Sequence, residues 1–377
     1  MARILVSLIS DQVIPNLFVI KELEGIDKHL IISTEYMERS AKSKWLINAA
    51  NLPERHIIGP VIVQEDSLVD IGEKLGNLEF EDNDEFLVNL TGGTKIMAIG
   101  VHDFFRNRQS QIFYVPIRKN LYRKIFPQVK VKETDISYRV NLREYLTSYG
   151  IRATLDSEYT PQTTYEEAVS LLNFFQGSKD AFISVVNSLR KYRNKGFRLS
   201  DDPELWEQTK RLPIAPTADS TFSKYQIQLL TGTWFEELIY HAIRKQLRLS
   251  SEYIQANLKI EREITGEKKS PSNEFDVMFT YGNVIHVVEC KTGVYDNFSQ
   301  KSIVNDTLYK LAALRPDFGL AARNILVTLA LPGETNQNIK PIHYTRADTM
   351  NTKIIDGSFF QDGFDPSRLV ELILQSK

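Results

Sequence analysis

Between Glu274 and Lys291 the chain carries two short apolar runs on either side of Gly282-Asn283. That pattern is a strong local signal for a β-hairpin with a two-residue turn. With Gly282 and Asn283 as the loop, the numbers of facing residues sum to a constant, and Asp276 falls opposite Glu289. Facing residues of an antiparallel pair project to one side, with Cβ atoms roughly 5 Å apart. Lys291, two residues beyond Glu289, points to that side as well. Two carboxylates and a lysine therefore converge on one patch of an otherwise apolar hairpin.

Isolated charges on a buried strand cost several kcal/mol or shift their pKa. Carboxylate oxygens from Asp276 and Glu289 suit Mn²⁺ or Mg²⁺, with water and substrate phosphate completing the shell. Such an ion lowers the pKa of a bound water and neutralises charge on a phosphoryl transition state. Lys291 would orient the attacking water or stabilise the same charge. From these residues alone a second reading stands beside the metal site: a surface hairpin on which Lys291 simply pairs with the carboxylates.

Upstream, residues 232–243 read as an amphipathic helix with Phe235, Ile239 and Ala242 on one face. Gly232-x-x-Phe235-Glu236 on a helix, Asp276 on a strand and Glu289-x-Lys291 on the next together resemble the PD-(D/E)xK nuclease superfamily. The resemblance implies that Asp276 and Glu289 hold metal, Lys291 assists catalysis and Glu236 supports the site, with Glu237 as rival for that last role. Phe275 stands where the proline that names the motif would be.

The broad bounds are those of an ordinary globular chain. Its 377 residues suggest two domains or three, and hydrophobic and charged residues make up 42% and 25%. No run is apolar enough to cross a bilayer and no signal-peptide pattern opens the sequence, so no membrane partner and a cytoplasmic address are expected. The single cysteine, Cys290, excludes an intramolecular disulfide, and its alternation with Glu289 and Lys291 sends it to the core. His286 shares that parity and reads as a core histidine. The net charge of −2 does not advertise a nucleic-acid binder. Two basic stretches stand out locally. One runs from Arg190 to Arg198, with Tyr192 and Phe197 placed to stack on bases; the other comprises Arg118, Lys119, Arg123, Lys124, Lys130 and Lys132. Either is equally a solvated surface.

The first half has another rhythm. Apolar strands at 4–9, 29–32, 57–63 and 85–90 alternate with helical patterns at 15–23, 36–50 and 67–75, which indicates right-handed βαβ units and a mostly parallel sheet. Further strands are expected at 112–115 and 121–131. Ligands bind such sheets at the carboxyl ends of the strands, where two loops fall. One is Ser10-Asp11-Gln12 leading to Pro15-Asn16; the other is Thr91-Gly92-Gly93-Thr94-Lys95, which opens the helix 96–105. Glycine turns and a helix N-terminus suit phosphate, although the spacing matches neither a Walker A loop nor Gly-x-Gly-x-x-Gly. A capped strand-to-helix turn explains the second loop equally well.

These loops, the Rossmann-like rhythm and the C-terminal carboxylates together resemble the cyclic-oligoadenylate-activated ancillary nucleases of type III CRISPR systems, which join a CARF sensor to a PD-(D/E)xK nuclease. The resemblance implies an N-terminal Rossmann-like CARF domain (1–150), a short helical connector (151–222) and a restriction-endonuclease-like α/β/α domain (223–377). It makes Ser10, Asp11, Gln12, Thr91, Gly92, Gly93, Thr94 and Lys95 the candidate activator pocket. It also implies a homodimer sharing one ring, cyclic tetra-adenylate, and cleavage of RNA or DNA with Mn²⁺ (or Mg²⁺). In the connector, helices are expected at 163–175 and 179–191, acting as a spacer that couples the domains. In the C-terminal domain a helix at 301–314 covers the sheet, and 324–330 adds a strand; Tyr309 and Lys310 on that helix read as packing and surface residues, with contact to substrate as the second reading. Two other readings remain: a ligand-responsive DNA-binding regulator with a vestigial carboxylate hairpin, and a ring nuclease acting at Thr91–Lys95.

Overall fold

A computed structural model of the chain describes residues 1–116, 119–128, 130, 132–154, 159–217, 219–262, 272–293, 295–296 and 301–375. The N-terminal sheet comprises β1 (Arg3–Leu8), β2 (Lys28–Ser33), β3 (Ile57–Ile62), β4 (Glu85–Asn89), β5 (Ser110–Tyr114), β6 (Leu121–Phe126) and β7 (Lys132–Asp135) in the order β3-β2-β1-β4-β5-β6-β7. The first five strands are parallel and the last two antiparallel. Strands β1, β2 and β4 are nearly continuous apolar runs because helices cover both their faces. Those helices are α1 (Ile14–Glu22), α2 (Glu35–Arg39), α3 (Lys42–Ala50), α4 (Leu68–Gly76) and α5 (Lys95–Phe105), and α6 (Leu142–Ser148) follows the sheet.

Two expectations here are corrected. The helix expected over 36–50 is two helices, broken where Ala41 takes a left-handed φ of 55°. The Glu38 carboxylate bonds the hydroxyls of Ser33 and Ser43 across that break. The strand expected over 121–131 ends at Phe126, ahead of Pro127, which has no N–H to extend the ladder, and β7 then pairs back on β6. Val131 and Arg118 lie outside the described residues. Strand β3 survives its Gly59-Pro60 interruption because it is the sheet edge.

The next strand, β8 (Ile151–Ala153), does not join this sheet. It is the edge of a second one, which contains β11 (Ile254–Arg262), β12 (Asn273–Tyr281), β13 (Val284–Lys291), β16 (Arg323–Thr328) and β17 (Thr352–Ile355) in the order β17-β16-β13-β12-β11-β8. Two small antiparallel pairs complete the strands: β9 (Phe197–Arg198) with β10 (Thr221–Phe222), and β14 (Tyr295–Asp296) with β15 (Lys301–Ser302). Between β8 and β11 in the chain come α7 (Tyr165–Gly177), α8 (Lys179–Leu189), α9 (Pro203–Thr209), α10 (Lys224–Gln228) and α11 (Trp234–Leu247). Helices α12 (Ile303–Leu314), α13 (Pro341–Thr349) and α14 (Pro366–Leu374) flank the second sheet.

The connector packs directly on the C-terminal domain. Phe175 and Phe182 of α7 and α8 pack on Trp234 at the start of α11, and this aromatic group continues into Val277, Phe279 and Val288 of the second sheet. Each such side chain contributes about 1.5–3 kcal/mol when fully buried, so a segment carrying this many is part of the domain it covers. A second core runs between the two domains, joining Leu5, Tyr145 and Tyr149 to Phe275, Ile285 and Phe318. The hairpin turn itself is docked there. Gly282 and Asn283 both have left-handed φ angles (59° and 61°), as a tight two-residue turn requires. The Asn283 amide accepts from Val140 N–H at 2.8 Å and donates to Tyr138 O and Asn120 Oδ1 at 3.0 Å.

Candidate functional site

The hairpin register pairs Val277 with Val288, which sets Asp276 across from Glu289 one step further on. In the neighbouring β11–β12 ladder Ala256 pairs with Val277 and Leu258 with Phe275; between them Asn257 adopts φ 51° beside Asp276. The ladder is therefore irregular where the aspartate turns its carboxylate toward β13. Asp276 Oδ2 accepts from Cys290 N–H and from Lys291 Nζ, both at 2.7 Å. Glu289 Oε2 lies 3.0 Å from Lys291 Nζ, and its Oε1 accepts from Lys310 Nζ at 2.6 Å. Lys310, on α12, also donates to Glu274 O at 2.5 Å and stands 4.5 Å from the Phe275 ring centroid.

Glu289 is only 2% exposed, which rules out the surface-hairpin reading. Its buried charge needs partners, and it has two. Burial, then Asp276, push the Glu289 carboxyl above the usual range, while Lys291 and Lys310 pull the other way. Burial opposes charge on Lys291, yet Asp276 and Glu289 hold its ammonium protonated well above the ordinary lysine range.

Glu236 faces the same cleft from the first turn of α11, just after a widened helical turn at Leu229–Thr233. Burial, with Asp276 as the next cause, raises its pKa to about 8. Its neighbour Glu237 is fully buried and does something else. It accepts from Tyr159 Oη (2.7 Å), Gln162 N (2.7 Å), Thr163 N (2.8 Å) and Thr163 Oγ1 (2.5 Å), pinning the connector to α11. The cleft encloses about 960 Å³ and is floored by Asp276, Glu289, Lys291 and Lys310.

The donor set fits a hard divalent cation in kind. It offers carboxylate oxygens, and the crowding that raises the Glu236 pKa is what a cation relieves. Asp276 and Glu289 would hold it. Among the described residues no three His, Cys, Asp or Glu side chains form a ready-made metal cluster, and Glu236 lines the same cleft as that pair. Cys290 is buried with its thiol pushed up by burial, and His286 stacks on Phe279 at 4.5 Å on the opposite strand face; neither is a ligand.

At the other end of the molecule, β1 and β4 are adjacent parallel strands, so the loops at 10–12 and 91–95 leave the sheet side by side. Thr94 Oγ1 caps α5 by accepting from Met97 N and donates to Glu65 O at 2.6 Å. Thr91 Oγ1 donates to Asn89 Oδ1 at 2.5 Å and accepts from Val115 N at 2.9 Å. Beneath the loops, buried Asn16 donates to Leu8 O and accepts from Asn89 Nδ2, both at 2.8 Å. A Cβ on Gly92 would stand 1.9 Å from Leu8 O, and Gly93 has φ 71°, so this turn demands both glycines. Lys95 is exposed and Asp11 lies 3.5 Å from Lys42. Ser10 Oγ is 3.4 Å from Gln12 O. The Gln12 side chain turns to the other domain, where its Oε1 accepts from Leu320 N–H (2.9 Å) and Tyr149 Oη (3.4 Å).

Residues 4–145 match the family of Card1 CARF domains, and residues 223–359 match the Card1-like endonuclease domain. The chain belongs to the Card1-like family. It carries a CARF domain at its N-terminal end and an endonuclease domain at its C-terminal end. No curated protein matches it. Among solved structures it is similar to protein VC1899 from Vibrio cholerae, at 17% identity and a TM-score of 0.76, covering 99% of this chain and 98% of that one. It is also similar to Can2 from Sulfobacillus thermosulfidooxidans, solved in complex with cyclic tetra-adenylate, at 21% identity and a TM-score of 0.72 over 99% of both chains. A type III CRISPR defence DNA nuclease activated by cyclic oligoadenylate matches over 90% of this chain and 48% of that one, at 16% identity and a TM-score of 0.55.

In this Card1-like chain the structure brings Glu236, Asp276, Glu289 and Lys291 to one cleft, and Ser10 and Thr91–Lys95 to one end of the CARF sheet. What sequence reasoning missed is the pairing of Lys310 with Glu289, since Lys310 reads first as packing or surface and second as a substrate contact. Charge counting gives a signal for it: two buried carboxylates and one lysine leave an unbalanced negative charge, and the facing helix must supply a cation. No helix among the described residues is long and apolar enough to cross a membrane.

Proposed function

We propose that this chain is a metal-dependent endonuclease cleaving RNA or DNA, switched on by cyclic tetra-adenylate bound across a homodimer of CARF domains, and acting in the cytoplasm in type III CRISPR defence. The observation that carries the reading is the Asp276–Glu289–Lys291 cluster, buried on the floor of an open cleft. Charged groups are seldom kept on a strand end without work to do. The solved relatives named for cyclic tetra-adenylate and cyclic oligoadenylate support the activator side.

Hydrolysis forms a bond from water oxygen to phosphorus and breaks the phosphorus bond to the sugar oxygen, which leaves with a proton. A divalent cation on Asp276 and Glu289 would supply a more acidic bound water and charge neutralisation at the phosphoryl group. Lys291, kept protonated by the carboxylates, donates to the negative charge that builds on the phosphoryl oxygens. Asp276 is aimed by the Cys290 N–H, and Lys310 fixes the Glu289 carboxylate from the far side. At the CARF end, Lys95 and the N–H groups of the Gly92-Gly93 turn suit ring phosphates. Ring binding shifts the enzyme toward the cutting arrangement only by its higher affinity for that arrangement.

The test is one panel: single-stranded RNA, single-stranded DNA and plasmid, each with and without Mn²⁺ and with cyclic oligoadenylates of several sizes. Cleavage that needs both Mn²⁺ and a ring is the expected result. No hydrolysis under any combination overturns the reading and favours a ligand-responsive regulator. Linear product from the ring itself, formed without metal, adds a ring-nuclease activity at Thr91–Lys95.

A further inference from the structure

The basic run at Arg190–Arg198 does not do what its interleaved aromatics suggest. Tyr192 and Phe197 are buried, with ring centroids 4.6 Å apart and Phe197 packed on Trp206, so neither is available to stack on a base. With its aromatics turned inward, the run sends arginines outward. Arg190, at the end of α8, and Arg193 line the wall of the cleft that faces Asp276, and Arg190 Nη2 lies 3.5 Å from Thr292 Oγ1, the residue after Lys291.

The cations of this cleft are not equivalent. Lys291 and Lys310 are committed to Asp276 and Glu289. Lys191 pairs with Asp202 at 3.1 Å and lies over the Tyr192 ring. Among the described residues Arg193 has no acidic partner within ion-pair distance, although its charge reaches Glu236 and opposes the rise of that pKa. The base of this wall is firm, because Phe182 of α8 packs on Trp234, two residues from Glu236. A nucleic acid brings one negative charge per nucleotide to the cleft, and its backbone must be held by cations that the carboxylates have not already claimed.

We propose that Arg193, on this wall, is a phosphate-binding residue that holds the substrate's sugar–phosphate backbone, RNA or DNA, opposite Asp276 and Glu289. This rests on the nuclease reading and assigns a substrate-binding role to a segment, residues 146–222, that lies outside both family matches. Guanidinium groups suit the task because they take phosphate oxygens through paired N–H donors. Neutral Asn187, Gln228 and Asn257 line the same cleft and add hydrogen-bonding groups that read no sequence.

The test measures binding rather than cleavage. Fluorescein-labelled single-stranded RNA and DNA are titrated with the full chain in EDTA plus cyclic tetra-adenylate, over a series of salt concentrations. Arg193→Ala should weaken both oligonucleotides roughly tenfold at low salt and flatten the plot of log affinity against log salt by about 1. Arg193→Lys should retain most of the affinity. Lys210→Ala, which removes an exposed charge elsewhere on the connector, should match wild type, and unfolding curves confirm that every variant is folded. An unchanged salt slope in Arg193→Ala, an equal loss in Lys210→Ala, or no binding by wild type overturns the assignment. Cleavage is not needed for this readout, so failure of the nuclease reading shows separately, as wild type inert toward every substrate with Mn²⁺.

Discussion

The two ends of this molecule are built for their tasks in opposite ways. The endonuclease cleft is made of side chains: three carboxylates and two lysines on strands and helices, with Asp276 and Glu289 partly neutralised by lysines at 2.6–3.0 Å. The CARF end is built on a tight backbone turn: its geometry demands Gly92 and Gly93, while Thr91 and Thr94 spend their hydroxyls on the turn itself. A buried charge cluster is intolerant of change, because removing one partner strands another. A backbone cradle tolerates side-chain change wherever the turn survives. The contrast predicts where mutations act on chemistry and where on its control.

The largest separation comes from one substitution at each end. Glu289→Gln should lower cleavage by roughly 10³-fold, because it removes one of the two carboxylates that would hold the cation whose charge stabilises the transition state, with ring binding retained by equilibrium dialysis. Lys95→Ala should instead raise the ring concentration for half-maximal activation by roughly tenfold or more, since a charge-assisted hydrogen bond is worth about 1.5–3 kcal/mol. Its rate at saturating ring should stay near wild type. Full cleavage by Glu289→Gln would break the assignment of the cleft.

A smaller effect compares the two sheets through their buried strand histidines. His286 of β13 is 2% exposed, and burial, helped by Arg323, lowers its pKa to about 3. His29 of β2 is lowered to about 4 by burial and His56. Below the ordinary value near 6.5 the unfolded chain takes up the proton and the folded chain does not. Stability therefore falls with pH from about 6.5 down to each folded value. For His286 the loss between pH 6.5 and 5 is at most about 2 kcal/mol. Unfolding midpoints at pH 7 and pH 5 should lie closer together in His286→Phe than in wild type. Equal spacing would show that the histidine is not held neutral.

Much of the cleft was legible in sequence because a hairpin converts numbering into geometry. The Gly282-Asn283 turn fixes the register, and the register fixes Asp276 against Glu289. The CARF sheet was legible for a similar reason, since fully covered parallel strands read as apolar runs. What escaped depends on contacts between distant segments. Lys310 reaches Glu289 from a helix beyond the hairpin, and helical periodicity does not tell a lysine in water from one over a buried carboxylate. Glu236 and Glu237 are adjacent, and only the packing of the connector on α11 assigns one to the cleft and the other to Thr163. Strand β8 crosses from one domain's end to the other's sheet, a pairing with β11 about a hundred residues away that no local pattern announces. Gln12 had a motif position at the CARF loops, yet its amide is taken up by Leu320.

Gln12 gives the finest test of the contrast, because it joins the two ends. Its Oε1 ties the loop after β1 to the backbone just before β16, and β16 is the strand beside Glu289 and Lys291. If that acceptor couples the ends, Gln12→Ala should reduce the fold-activation by cyclic tetra-adenylate about fivefold, the equivalent of one hydrogen bond of about 1 kcal/mol. Gln12→Glu keeps an acceptor for Leu320 N–H and the Tyr149 hydroxyl and should restore most of the activation. If the amide instead donates to a ring phosphate, a carboxylate there repels the ring and Gln12→Glu falls below Gln12→Ala. The order of the two variants, read as activated over basal rate with ring affinity measured alongside, decides whether Gln12 belongs to the cradle or to the joint. The 2.9 Å bond from Leu320 N–H engages the amide oxygen and is the observation behind the joint reading.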